Sequence, residues 1–542
     1  MSASSKKKLR NAEQAAKMTE KQLAEQKEAK KLKLYSTLAV VVLIALVVFA
    51  AYVGISRTVI NSGIRERNTV ALTIGENKIS NAELNYYFID SVNQFYNENG
   101  SYAALFGLDL TKPLNENVLN EETGETWADD FLNAAIENIK ATYALCDEAK
   151  ANGYTLPEEA SDEIDSAIDT LELYATAYGY PNVKSYVKAM YGNGANVEGL
   201  RNYYEMTELA THYQQHYQES LTYSADEIRA ADNADPKQYN SYNYNYYYLN
   251  ATRFIEGETD ENGSYTAEQK AAGVKAAEEA AKALTDGIDT VEAFNAAIAA
   301  LPVNAENTTA ASYASTDVSY SSMFAGYADW VADASRKEGD MTYVASTSTT
   351  TDDNGNTTEQ INGYYVVMFG SCNDNNFPLA NVRHILVAFE GGTYNSTTGA
   401  YDYSEDEKKA AWDAAEAILA EWKSGEATEE SFAALANEKS DDGDGTTGGL
   451  YEDIYPGQMV AAFENWCFEG HKPGDTGIVE TEYGCHVMYY SGDSETLYRD
   501  HLINSALISE AFSAWYTALT EAVTAEKQNC KYISTDLVLS AS

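Results

Sequence analysis

Apolar and polar positions are arranged in several distinct ways along this chain, and each predicts a different kind of element. Leu34 to Ile55 holds no charged residue, and Leu38 to Ala51 is unbroken apolar sequence. These 22 residues are enough for a helix crossing a hydrocarbon layer of about 30 Å. The preceding basic region is long for a signal peptide, the apolar run exceeds the roughly 7 to 15 residues of one, and no clear Ala-x-Ala site follows, so an uncleaved anchor is expected. Val70 to Ile79 reads as a small hairpin, and Ser80 with Glu83 three residues on predicts a capping box opening a helix. Helical patterns run through Trp127 to Ala151, Pro157 to Tyr178, Val183 to Met190 and Val197 to Tyr217, divided by Asn152-Gly153, Gly179-Tyr180-Pro181 and Gly192-Asn193-Gly194. Near the end, Leu497, Leu502, Ile503, Leu507, Ile508, Phe512, Trp515, Leu519 and Val523 recur at helical spacing, a face that needs a partner, and Lys531 to Leu539 is read as a further strand.

Between these regions two segments share a pattern. Met323, Tyr327 and Trp330 are followed by Gly339-Asp340, as Met459, Phe463 and Trp466 are by Gly474-Asp475. Upstream, Val291 to Ile298 parallels Glu429 to Ala436, and each segment closes in a strand after a glycine, Gly363 to Val367 and Gly484 to Met488. An internal repeat of about 137 residues is expected.

Composition fits folded domains, with 44% apolar and 12% aromatic residues, and a length of 542 suggests about three of them. Charge refines the picture. The formal net charge is -46, yet residues 1 to 34 hold ten Lys/Arg against four Glu, which leaves -52 on the remainder. The positive-inside tendency then puts residues 1 to 33 in the cytoplasm and everything after about Arg57 outside. Such acidity excludes nucleic acid as a partner, because phosphate binding needs clustered Lys/Arg; its simplest role is solubility. Cys146, Cys372, Cys467, Cys485 and Cys530 are odd in number, widely spaced and without a Cys-x-x-Cys, which suggests neither a zinc site nor a disulfide framework and leaves a single pair open.

The densest signal runs from Asn381 to Gly492. It contains Arg383-His384-Ile385-Leu386-Val387, Ser440-Asp441-Asp442, Gly448-Gly449, Gly457-Gln458-Met459, Phe463, Lys472-Pro473-Gly474-Asp475 and Tyr483-Gly484-Cys485-His486-Val487, in that order. This order resembles a parvulin-type (PpiC, rotamase) peptidyl-prolyl cis-trans isomerase, and the helical module before it loosely resembles that of PrsA-like and SurA-like exported foldases. The fold class expected is α+β: a basic tail over 1–33, a transmembrane anchor over 34–56, a helical module over 68–230 completed by 494–539, a degenerate parvulin-like domain over 236–374 and an isomerase domain over 378–493. By the same resemblance the C-terminal helix returns to the helical module.

Rotation about a prolyl amide crosses a barrier of about 18 to 20 kcal/mol, mostly lost resonance, and no bond is made or broken. The catalyst need only bind the twisted amide better than either planar form, so neither a metal nor an organic cofactor is expected. Met459 and Phe463, four apart on a short helix, match the family's proline-pocket wall, with Gln458, Tyr451 and Ile454 beside them. His384 and His486 match a hydrogen-bonded histidine pair, with either structural support or direct electrostatic participation open as its role. Asp442 stands where the family carries a cysteine or an aspartate; the loop Asp441 to Gly445 looks superficially like a calcium loop, but position 6 from Asp442 is Thr447 and position 12 is Asp453, which fails the EF-hand spacing. Two departures matter. Leu450 to Ile454 differs from the family's usual sequence after the paired glycines, and Ala388 to Gly392 offers no basic cluster for phosphoserine-proline. The first repeat has Tyr365 where the second has His486, no histidine in Tyr242 to Leu249, and no counterpart of Asp442 around Val303 to Thr309. The function implied is a foldase acting on newly exported polypeptides containing Xaa-Pro, held at the membrane; the alternative is a chaperone or scaffold whose isomerase fold has little turnover. A membrane sensor is a weaker third reading, because residues 1 to 33 are short and charged for an output domain.

Overall fold

A computed structural model describes residues 4–8, 44, 46–49 and 61–535, apart from 110, 261–262, 308, 352–356 and 444. The expected anchor over 34–56 and the basic tail lie almost wholly outside the described residues, and among the described residues no helix is long and apolar enough to cross a membrane. The chain forms two compact units, Met1–Leu221 with Ala511–Ser542, and Thr222–Glu510.

In the first unit the hairpin Val70–Ile74 and Asn77–Ser80 turns at Gly75 and leads into the helix Asn81–Asn99. Ser80 caps that helix, its hydroxyl accepting the Glu83 N–H at 3.1 Å, while the Glu83 carboxylate takes the Tyr143 hydroxyl at 2.6 Å. The predicted helices appear as Trp127–Ala151, Glu158–Ala177, Val183–Tyr191 and Val197–Ser220. Their apolar stripes close on one core around Leu84, Phe88, Phe131, Ile139 and Leu200, each such side chain stabilising the fold by roughly 1.5–3 kcal/mol through burial.

The C-terminal apolar pattern forms the helix Tyr498–Glu521, and its residues within the first unit pack there: Trp515 stacks on Tyr217 at 3.8 Å, and Leu519 joins the cluster of Leu145 and Tyr213. The expected strand over Lys531 to Leu539 is displaced. Ala525–Lys527 pairs with the first hairpin strand instead, Leu72 opposite Lys527. The reason is Asn81, whose amide group holds the Asn529 carbonyl at 2.9 Å and the Tyr532 N–H at 3.2 Å and so turns the chain away; residues 536–539 lie outside the described residues.

The second unit contains two αβ halves with one order of elements. The first runs through Ser241–Asn250, Ala267–Ala283, Val291–Ala299, Tyr313–Ser319, Ala325–Val331, Met341–Thr351 and Thr357–Asn373. The second runs through Pro378–Ala388, Glu405–Ser424, Glu429–Lys439, Leu450–Ile454, Ala461–Cys467, Thr476–Glu480 and Gly484–Leu497. In each half the first and last strands lie antiparallel at the centre of a four-stranded sheet, flanked by the second and third. At the junction Arg499, at the start of the C-terminal helix, donates to the Asp232 carboxylate, to Asn240 at 2.8 Å and to the carbonyls of Asp374 and Pro236.

Candidate active site

Strand pairing brings the two histidines together. Met488 lies opposite His384 and Leu386 opposite His486, so the histidines occupy diagonal positions on one face of the sheet. Their Nδ1 atoms are 3.1 Å apart, with His384 3% and His486 6% exposed. At one end His384 Nε2 meets Asp442 Oδ2 at 3.1 Å; at the other, His486 Nε2 meets Thr481 Oγ1 at 2.9 Å.

These partners assign the hydrogens. A carboxylate only accepts, so His384 carries its hydrogen on Nε2 and its Nδ1 is a lone pair. His486 then donates from Nδ1, and its Nε2 accepts from the Thr481 hydroxyl. Burial lowers the pKa of both rings below the ordinary histidine value. Asp442 opposes the shift of His384, and His486, lowered further by the neighbouring His384, falls to about 4. Both rings are neutral at pH 7.

The loop that presents Asp442 is stitched to the strand carrying His384. Ser440 Oγ accepts the Leu386 N–H at 3.1 Å, Asp441 N–H donates to the Leu386 carbonyl at 2.9 Å, and Ala388 N–H donates to the Asp441 carboxylate at 2.9 Å. The paired glycines bring the next strand in. Gly449 has φ +64, its carbonyl accepts the His384 N–H at 2.9 Å, and a Cβ there would lie 2.1 Å from the His384 carbonyl oxygen. Only glycine combines that conformation with that approach.

The strand Leu450–Ile454 adds Tyr451. Its ring stacks on His384 with centroids 4.8 Å apart, and its hydroxyl donates to Asp442 Oδ2 at 2.9 Å. Burial, reinforced by that carboxylate, pushes the phenol up to about 12, so it remains a donor. Phe463, 3% exposed, stands edge-on to His384 at 5.4 Å and His486 at 5.3 Å. Together with Gln458, Met459, Val460, Leu386 and Tyr483 these groups line a cavity of about 350 Å³.

Of the residues singled out in the sequence, His384, Asp442, His486, Met459, Phe463, Tyr451 and Gln458 therefore line one cavity. Ile454 does not. An irregularity after Tyr451, with Asp453 at φ +54, sets Ile454 opposite Ala380, where it is 0% exposed and packed with Val382, Phe463 and Trp466 as core. Four residues at the site were missed. Leu386 follows His384 by one strand repeat and Val460 follows Met459, so alternation and adjacency could have found both. Tyr483 belonged to the motif without a role, whereas Thr481 reaches His486 only through the hairpin.

In the first half the matching place is filled by tyrosine. Tyr327 packs against Tyr244 at 5.6 Å and Tyr365 at 5.8 Å, and Phe324 covers Tyr365 at 4.9 Å.

Residues 366–491 match the family model of the PPIC-type PPIase domain. Among solved structures the chain is similar to the PPIase domain of TBPAR42 (23% identity, 20% of this chain and 98% of that one, TM-score 0.17). It is also similar to the peptidylprolyl isomerase PrsA from Bacillus cereus (24% identity, 28% of this chain and 50% of that one, TM-score 0.18) and to a SurA-like chaperone of Campylobacter jejuni (13% identity, 56% of this chain and 83% of that one, TM-score 0.13). The match thus spans half the length of the Bacillus cereus PrsA chain. The search of curated proteins gave no match. With the family match covering the histidine pair and its cavity, residues 366–491 are a parvulin-type peptidyl-prolyl cis-trans isomerase domain.

Proposed function

We propose that this chain is an extracytoplasmic foldase, anchored in the membrane by residues 34–56, that speeds Xaa-Pro rotation in newly exported polypeptides. The observation that carries the reading is the juxtaposition of an apolar cavity walled by Met459 and Phe463 with the buried row Asp442, His384, His486 and Thr481. The cavity suits a proline ring stripped of water. The row fixes dipoles beside the amide in a place where reorganising them would otherwise oppose rotation. Because chemistry here is only a change of electron distribution about one C–N bond, preorganised polarity and a dry grip are sufficient.

A preference for plain Xaa-Pro over phosphoserine-proline is supported by Arg383. Its guanidinium is engaged by Glu429 at 2.9 Å and by the carbonyls of Thr447 and Gly448 at 3.2 and 3.0 Å. The first αβ half, with Tyr246 and Tyr365 where the second has His384 and His486, suits binding or spacing rather than turnover, as a degenerate copy.

Isomerisation of a proline peptide by the full chain, followed beside the His384→Ala variant, tests the activity. Rates equal to background for the folded wild type would favour the chaperone reading, for which the departure at Tyr451 is the specific support. Protease digestion of sealed and opened cells tests the topology, and protection of residues beyond 57 in sealed cells would contradict it.

A further inference from the structure

A second cavity, of about 850 Å³, opens on the other side of the short helix Ala461–Cys467 and has no part in the histidine row. Its floor is aromatic: Phe377 and Phe468 meet edge to face at 5.9 Å beside the buried Tyr490. Its rim carries three carboxylates, Glu464, Glu469 and Asp493, with His471 Nε2 3.8 Å from Glu469, and no lysine or arginine is among the described residues that line it. Two of the three are held by neutral donors, Glu464 by the Gly457 N–H at 2.7 Å and Asp493 by the Tyr490 hydroxyl at 2.6 Å.

One segment walls both cavities. Gln458 and Phe463 face the histidines, whereas Pro456 and Glu464 face the aromatic floor. A helix with its side chains is about 10 Å across, which an extended polypeptide crosses in about three to four residues. We propose that this cavity is a second subsite for the polypeptide whose proline occupies the histidine pocket, and that it takes an arginine or lysine a few residues from that proline. The aliphatic stem and the cationic head fit rings below and carboxylates above. Placement next to a bound proline rests on the isomerase reading; the cavity's affinity for a cationic side chain does not.

The test uses the full chain and two fluorescent proline-free peptides of equal length, one carrying two arginines and the other two glutamates, followed by anisotropy. The arginine peptide is expected to bind about fivefold more tightly or better. Glu469→Gln/Asp493→Asn should lower that preference severalfold, to what the acidic surface alone gives, while Glu158→Gln/Glu159→Gln, which removes the same charge from an exposed helix of the first unit, should leave it unchanged. Equal affinities for the two peptides, or a preference reduced alike by both double variants, would overturn the subsite. With proline peptides, an arginine about four residues from the proline should lower KM about fivefold in the wild type and not in the cavity variant. Arginine binding that depends on the cavity, in a protein that turns over no proline peptide, would sink the isomerase reading and leave the subsite standing.

Discussion

His384 and His486 meet Nδ1 to Nδ1 at 3.1 Å, and only one of those two atoms can hold a hydrogen. Asp442 at one end and Thr481 at the other set which one it is. A proton added to the acceptor ring would turn two donors toward each other, so the arrangement is built on neutral imidazoles.

The pH dependence of stability follows. Unfolded His486 takes up a proton near pH 6.5, whereas the folded residue stays neutral down to about 4. Its contribution is complete above pH 6.5, drains as the pH falls through that window, and is lost by about 4, a change on the order of 2–3 kcal/mol. Urea unfolding of the wild type and of His486→Asn between pH 7.5 and 4 should show a shallower fall for the variant. Parallel curves would contradict the assignment.

Tyr451→Phe removes the hydrogen bond to Asp442 and keeps the ring on His384. Stability should fall by about 1.5 kcal/mol, the lower end for a bond to a charged group, and kcat/KM for a proline peptide by about two- to fivefold. Tyr451→Leu, which also removes the stacked ring, should cost more in both. An unchanged kcat/KM in Tyr451→Phe would show that the orientation of Asp442 is immaterial to turnover.

Met459→Ala opens the pocket wall without emptying the core, since Met459 is only partly buried. A tenfold fall in kcat/KM, about 1.4 kcal/mol of transition-state binding, is expected with little change in melting temperature. Phe463→Ala should in addition destabilise by about 3–5 kcal/mol, because that ring is core as well as wall. If Met459→Ala retains full kcat/KM, the proline ring binds elsewhere.

Gly449→Ala places a Cβ against the His384 carbonyl oxygen and requires a left-handed backbone of a residue with a side chain. The penalty should be about 1–3 kcal/mol for the conformation alone, together with a loss of isomerase activity larger than in Gly75→Ala. Gly75 shares the positive φ but has open space around it, so it isolates the conformational part. Equal activity in the two variants would mean that the close approach at His384 has no bearing on the site.

Long periodic segments were the legible part of this fold. The helices Trp127–Ala151 and Val197–Ser220 match their apolar patterns because one-sided burial writes a 3.6-residue period into the sequence. The shared spacing of Met323, Tyr327 and Trp330 with Met459, Phe463 and Trp466 could be read because each short helix packs the same face on the four-stranded sheet of its own half. Local irregularity was not legible. Ile454 left the pocket through a break in strand register, the tail strand moved because Asn81, 451 residues before Tyr532, turns the chain, and Thr481 joined the histidines through a pairing that spacing alone does not specify.

The pairing of Leu72 with Lys527 also sets a clock. The two strands are 455 residues apart, a separation also spanned by the hydrogen bond from Gln528 to Thr73. At about 5–20 residues per second of synthesis, roughly 20 to 90 seconds pass between the first strand and its partner. Throughout that interval Val70–Ile74 waits with one edge unpaired, an invitation to wrong partners. The isomerase half, contiguous in sequence, is made complete within that delay, so in each newly made chain it is ready to fold before the first unit can close.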